Sequence, residues 1–304
     1  MTPIDHLKIG FIGAGRLAKT LARLCSSRGL SVSAIASRNA THAKVLAAQV
    51  SGCSGVSAQR VADTCDLIFI TTTDKAIQAI ADAIRWRPGT FVVHCSGATE
   101  VDVLHKAVTY GAFIGGFHPL QSFADPDSAM QSLAGCTITI EAEEPGLNEI
   151  LVKIAERLNC RVNRLPPGAR PLYHAAAGYA SQFVNVLLKQ AAVIWSSWGA
   201  TENDAIHALM PLVRGTLASI EQLGPVASMP GPVSRGDAGS VAKHVNALAA
   251  KDPVMLHLYS ALCNETVSMA IESGRINTEQ AAALRALLSN AAGTPPVQQP
   301  DANF

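Results

Sequence analysis

Short apolar runs closed by polar or glycine-rich turns fill the first half of the chain, whereas long segments with apolar residues three and four apart fill the second. Residues 7–12 form the first run. Gly13, Gly15 and Ala18 follow, then Leu17, Leu21, Leu24 and Cys25 at helical spacing up to Gly29. That order predicts a strand, a tight turn and an amphipathic helix. SVSAIAS (31–37), DLIFITTT (66–73), TFVVHCSG (90–97), GAFIGGFHP (111–119), CTITIEA (136–142) and RVNRLP (161–166) predict further strands. Helical patterns such as KAIQAIADAI (75–84) and GLNEILVKIAERL (146–158) lie between them.

Repeated strand–helix alternation implies an α/β domain with a doubly wound, mainly parallel sheet covered on both faces. Beyond residue 167 no strand pattern remains, and helices are expected over 172–198, 203–222, 238–249, 253–273 and 279–288. Pro211 is expected to kink or split the second of these. The expected organisation is thus an α/β domain over 1–167, an all-α domain over 168–292 and a disordered tail over 293–304. Ile194, Leu209, Leu212 and Leu217 read as helical core, with a dimer interface as the alternative.

Composition narrows the function. The 304 residues are 48% hydrophobic and 15% charged with a formal net charge of +1, so there is core enough for two domains and no basic footprint for nucleic acid or an anionic membrane. A small-molecule substrate and a second copy of the chain are the expected partners. Seven cysteines are scattered without a CxxC pair or zinc spacing, which points to a reduced, cytoplasmic protein without a structural metal. No leader is expected, because the first apolar run passes directly into the glycine pattern. The longest uncharged stretch, 171–188, contains Tyr173, His174, Ser181, Gln182 and Asn185, polar groups that hydrocarbon would not satisfy.

Gly13-x-Gly15-x-x-Ala18 at the first strand–helix turn is the geometry that brings a pyrophosphate to backbone N–H groups at a helix N-terminus. Gly13, Ala14, Gly15, Arg16 and Leu17 are the expected diphosphate contacts. An NAD site places Asp or Glu about twenty residues on, at the end of the second strand. This chain has Ser37, Arg38 and Asn39 there. A guanidinium beside a hydroxyl suits a 2′-phosphate, at about 1.5 to 3 kcal/mol, so the expected cofactor is NADP. Thr71, Thr72 and Thr73 are candidates for the cofactor ribose, with capping of the next helix as the alternative for Thr73.

Strand ends of such a sheet face the cofactor crevice. GGFHPLQSF (115–123) delivers His118, Gln121 and Ser122 there, with Pro119 restricting the backbone at His118. Ser96 follows a strand and precedes Gly97, which leaves room for a ligand, whereas His94 reads as a core histidine or a contact. His174 and Gln182, eight residues apart, would share one helix face toward the cleft. Arg235 in GPVSRGD either clamps a substrate carboxylate or pairs with Asp237, the expected N-cap of the next helix. The candidate catalytic set is therefore His118, His174, Ser96, Gln182 and Arg235, with His118 or His174 as proton donor.

GFIGAGRLAKTLA, HCSGA, GGFHPLQSF, YHAAAGYAS and GPVSRGDAGSVAKH, in this order, resemble the Rossmann-like oxidoreductases with a C-terminal domain of unknown function, similar to deazaflavin-dependent NADP oxidoreductases. The resemblance runs from about residue 7 to 288. It implies an NADP-binding Rossmann domain joined to a helical dimerising domain, as in ketopantoate, pyrroline-carboxylate and β-hydroxyacid reductases. Relatives commonly have Asn where Gln182 stands and Thr-Gly-Pro at 230–232, where this chain has Pro-Gly-Pro. The lysine used by β-hydroxyacid dehydrogenases has no counterpart before Lys189. The expected activity is NADPH-dependent reduction of a small carbonyl or imine acid, a 2-oxo acid of ketopantoate type first and a cyclic imine second. The alternatives are a deazaflavin-type NADP oxidoreductase and a non-catalytic NADP-binding redox sensor.

Overall fold

The computed structural model describes residues 4–292. The tail expected over 293–304 lies outside the described residues. Strands and helices alternate from β1 (Ile9–Ile12), α1 (Arg16–Ser27), β2 (Val32–Ala36), α2 (Ala40–Ala47) and β3 (Ser54–Val56) to α3 (Ala58–Thr64) and β4 (Leu67–Ile70). They continue through α4 (Asp74–Ala83), β5 (Phe91–His94), α5 (His105–Val108), β6 (Phe113–Pro119), α6 (Pro126–Ser132), β7 (Thr137–Glu141), α7 (Pro145–Arg157) and β8 (Arg161–Arg164). Six further helices complete the described chain: α8 (Arg170–Ala180), α9 (Gln182–Trp195), α10 (Glu202–Ala227), α11 (Ala238–Lys251), α12 (Pro253–Glu272) and α13 (Thr278–Ala292).

All eight strands form one sheet in the order β3-β2-β1-β4-β5-β6-β7-β8. Every neighbouring pair is parallel except β6 with β7, which run antiparallel. β1 and β4 are buried along their whole length, as expected for strands covered on both faces. Across one face Phe11 stacks on Phe69, and Phe69 meets Phe117 at a tilt of 56°, with ring centroids 5.3 Å apart in each pair. Ile12, Ile68, Ile70, Val92 and Trp86 form the core of the other. β3 has no counterpart in the sequence reading, because Ser54-Gly55-Val56 is too short and polar to show a period.

The chain divides into two compact units, the first ending at Phe183 and the second starting at Val184. α8 therefore packs with the sheet, beyond the boundary expected at 167/168. The cause is Arg170 at its first position, which is fully buried among groups of the sheet. The helix expected over 172–198 is divided: Ser181 has φ −130° and ψ −78° and separates α8 from α9. In the second unit α11, α12 and α13 enclose a core that includes Val241, Leu256, Val267, Leu284 and Leu288. α10 keeps helical dihedrals through Pro211 and breaks instead at Gly224 (φ 80°, ψ 164°), a backbone position open to glycine. The expected core assignment fails for Leu212 and Leu217, which are 66% and 58% exposed.

Candidate functional site

The two glycines of the first turn do different work. Gly13 has φ +122°, and a Cβ there would lie 2.6 Å from the Thr71 carbonyl oxygen, so no other residue fits without moving the β4 end. A Cβ on Gly15 would meet nothing nearer than that carbonyl, at 4.0 Å. The space over Gly15 is open. Gly15 is the N-cap of α1 and no side chain caps that helix, which leaves the first-turn N–H groups, among them those of Arg16 and Leu17, without intrahelical acceptors. Ala14 and Ala18 are buried beneath the turn. A positive-φ glycine, an open glycine and an uncapped helix end together fit a dinucleotide diphosphate.

The threonines at the end of β4 divide similarly. Thr71 donates its hydroxyl to the Gly13 carbonyl at 3.1 Å and is spent on the turn. Thr72 has a buried hydroxyl oxygen without a partner among the described residues, the kind of group that a ligand hydroxyl satisfies. Thr73 occupies the N-cap position of α4 but makes no side-chain cap bond. The Asn39 side chain accepts from the Thr41 N–H at 2.9 Å and caps α2. Ser37 and the exposed Arg38 remain at the end of β2, and Arg38 has no hydrogen bond or ion pair among the described residues.

At the ends of β5 and β6 lies a cluster of imidazoles. A Cβ on Gly97 would sit 2.7 Å from His174 Nδ1 and 2.9 Å from His118 Nε2, so the missing side chain is what lets both rings approach this turn. The two rings lie 6.2 Å apart at 78°. His118 Nδ1 and the Tyr173 hydroxyl are 2.7 Å apart, a contact that the sequence reading did not foresee. Burial, then His174 and the Arg170 charge, hold the His118 pKa down at about 4, with Asp74 opposing. Burial raises the Tyr173 phenol. At neutral pH the pair is uncharged and hydrogen-bonded.

Behind the cluster lies Arg170, fully buried. Its Nε donates to Glu141 Oε2 at 2.6 Å and its Nη1 to the Ser96 carbonyl at 2.7 Å. A Cβ on Gly116 would fall 1.9 Å from its Nη2. Neither Arg170 nor Glu141 was a candidate from sequence. The available signals were an arginine opening an otherwise uncharged helical segment and a lone carboxylate at the end of the apolar run CTITIEA.

Several candidates have other duties. The Ser96 hydroxyl accepts from the N–H groups of Ala98 and Thr99 at 3.2 and 3.0 Å and bonds the Thr99 hydroxyl, so it shapes its own turn. His94 is a fully buried core histidine whose Nδ1 accepts from the Ser96 N–H. Burial first, then Arg170, lowers its pKa to about 3. Gln121 bonds the Ser132 carbonyl and the Ser122 N–H. Gln182 is exposed beyond the break at Ser181, and the continuous helix that was to align it with His174 is absent. Arg235 is an exposed residue of the second unit. Asp237 bonds Ser240 and caps α11 instead of holding Arg235.

Residues 8–97 match the family model described as NADP oxidoreductase, coenzyme F420-dependent. Residues 136–266 match DUF2520, a domain of unknown function. The first stretch is thus similar to an NADP oxidoreductase domain and the second to a DUF2520 domain. No curated protein matches it in sequence. Among solved structures it is similar to protein TM1727 from Thermotoga maritima, at 24% identity and TM-score 0.72 over 88% of this chain and all of that one. A candidate NADP oxidoreductase, BF3122 from Bacteroides fragilis, aligns at 24% identity and TM-score 0.67 over 87% of this chain and 99% of that chain. The pyrroline carboxylate reductase of Plasmodium falciparum, solved with NADP bound, aligns at 10% identity and TM-score 0.58 over 95% and 98% of the two chains. At these identities the likeness shows a shared fold. Among the described residues no helix is long and apolar enough to cross a membrane.

Proposed function

We propose that this NADP oxidoreductase-type chain reduces a small carbonyl or imine acid with NADPH. The observation that carries the reading is the shared edge of the sheet: the open Gly15 turn, the unpartnered Thr72 hydroxyl and the His118–Tyr173 pair all lie at the carboxyl ends of β1, β4 and β6. Gly13, Gly15, Arg16, Leu17 and Thr72 would hold the dinucleotide, and Ser37 with Arg38 its 2′-phosphate. The bound nicotinamide would supply a hydride.

The protein's own part is proton handling. His118, neutral at pH 7, donates from Nδ1 to the Tyr173 oxygen in one of its tautomers, which frees the phenol proton for the substrate oxygen or nitrogen. His174, exposed and bordering the same turn, orients that atom. A 2-oxo acid of ketopantoate type is the first substrate class and a cyclic imine of pyrroline type the second. Arg235 stays a proposed clamp for the carboxylate.

The exposed Leu212, Leu217 and Leu223 of α10 support a homodimer through this unit, which sedimentation would test. The scattered cysteines support a cytoplasmic site of action. For the activity, purified protein is mixed with NADPH and panels of both substrate classes. Oxidation with either is expected. Tight NADPH binding without turnover of either class, or with a deazaflavin alone, would overturn the reading in favour of a sensor or a deazaflavin enzyme respectively.

A further inference from the structure

We propose that Arg170 is the positioning residue of this site, holding the Ser96–Gly97 turn against His118 and His174 so that water is kept from the His118 ring. This rests on the reading of His118 as the proton-handling group.

Three observations carry it. Arg170 is fully buried, and its partners are on separate elements: Glu141 at the end of β7 and the Ser96 carbonyl after β5. The Ser96 carbonyl immediately precedes Gly97, whose Cβ position lies within 2.9 Å of both imidazoles. Gly116 leaves the guanidinium its seat, since even one methyl there would meet Nη2 at 1.9 Å. A planar fork with fixed donor directions can span a carboxylate and a carbonyl at once, where a single ammonium cannot do so in the same geometry. Removing the fork frees the turn to open.

The groups facing His118 are Tyr173 on Nδ1, His174 and Arg170, with Asp74 and His94 acting at longer range. Burial is the largest cause of the His118 shift. An opened turn should therefore reveal itself as a ring that protonates more easily.

The test follows the Cε1–H resonance of His118 against pH in the full chain without cofactor or substrate, assigned with His118→Asn. In the double variant Arg170→Met/Glu141→Met, which removes both charges together so that loss of the guanidinium charge does not by itself account for the change, the midpoint is expected at least one pH unit above that of the wild type, with NADPH affinity by calorimetry within threefold. Arg170→Lys, which keeps the charge but cannot span both partners as the fork does, takes its place if the double variant does not fold, with the same midpoint shift expected. A folded variant with an unmoved midpoint would overturn the proposal and leave Arg170 as a structural ion pair. Neither reading depends on turnover, so a protein that reduces nothing would sink the proposed activity without touching this result.

Discussion

His118 Nδ1 lies 2.7 Å from the hydroxyl of Tyr173, joining the end of β6 to the first turn of α8. Tyr173→Phe keeps the ring and its packing and removes only the hydroxyl. With the substrate found by the assay above, kcat is expected to fall about 10²- to 10⁴-fold, with NADPH affinity unchanged. Undiminished kcat would mean that the phenol only braces the histidine.

Gly97→Ala puts a methyl 2.7 Å from His174 Nδ1 and 2.9 Å from His118. The backbone there needs no positive φ, so the fold should survive while the rings are pushed apart. A loss of about tenfold or more in kcat/KM is expected, since small displacements of reacting groups are costly. Full activity would show that the imidazoles need not meet at this turn.

Arg38→Ala addresses the cofactor. Among the described residues the exposed guanidinium has no partner to lose, so stability should hold. The NADPH to NADH affinity ratio is expected to drop about ten- to a hundredfold. Calorimetry with both coenzymes checks this, and an unchanged ratio would remove Arg38 from the site.

Acid should destabilise the first unit through two imidazoles, His94 fully buried and His118 partly so. His118 and His94 have pKa values of about 4 and 3 in the fold, against 6.5 unperturbed. Between these values the unfolded chain holds more protons, so the contribution is complete above about pH 6.5 and is lost as pH falls toward 4. For His118 alone it is about 3 kcal/mol. Urea unfolding of wild type and His118→Asn at a series of pH values checks it: the variant should show the shallower dependence.

Much of the fold was legible because its signals are local. Strand runs, the spacing of Leu17, Leu21 and Leu24, and the glycine turn each lie within one stretch of chain, and period and backbone freedom act over a few residues. The strand end that carries His118 was legible for the same reason. The break at Ser181 and the unbroken helix through Pro211 went against local expectation.

By itself the sequence determined an alternating α/β half, a helical half, a glycine turn between the first strand and helix and an arginine where NAD sites carry an acid. Only the tertiary structure decided that Ser96 and Asn39 serve their own backbone, that Tyr173 joins His118, and that Arg170 ties Glu141 to Ser96. These last pairings connect residues 55, 29 and 74 apart. Separations of that kind leave no periodic trace in a chain, because burial of a charge is settled by whichever distant groups the folded sheet brings within reach of it.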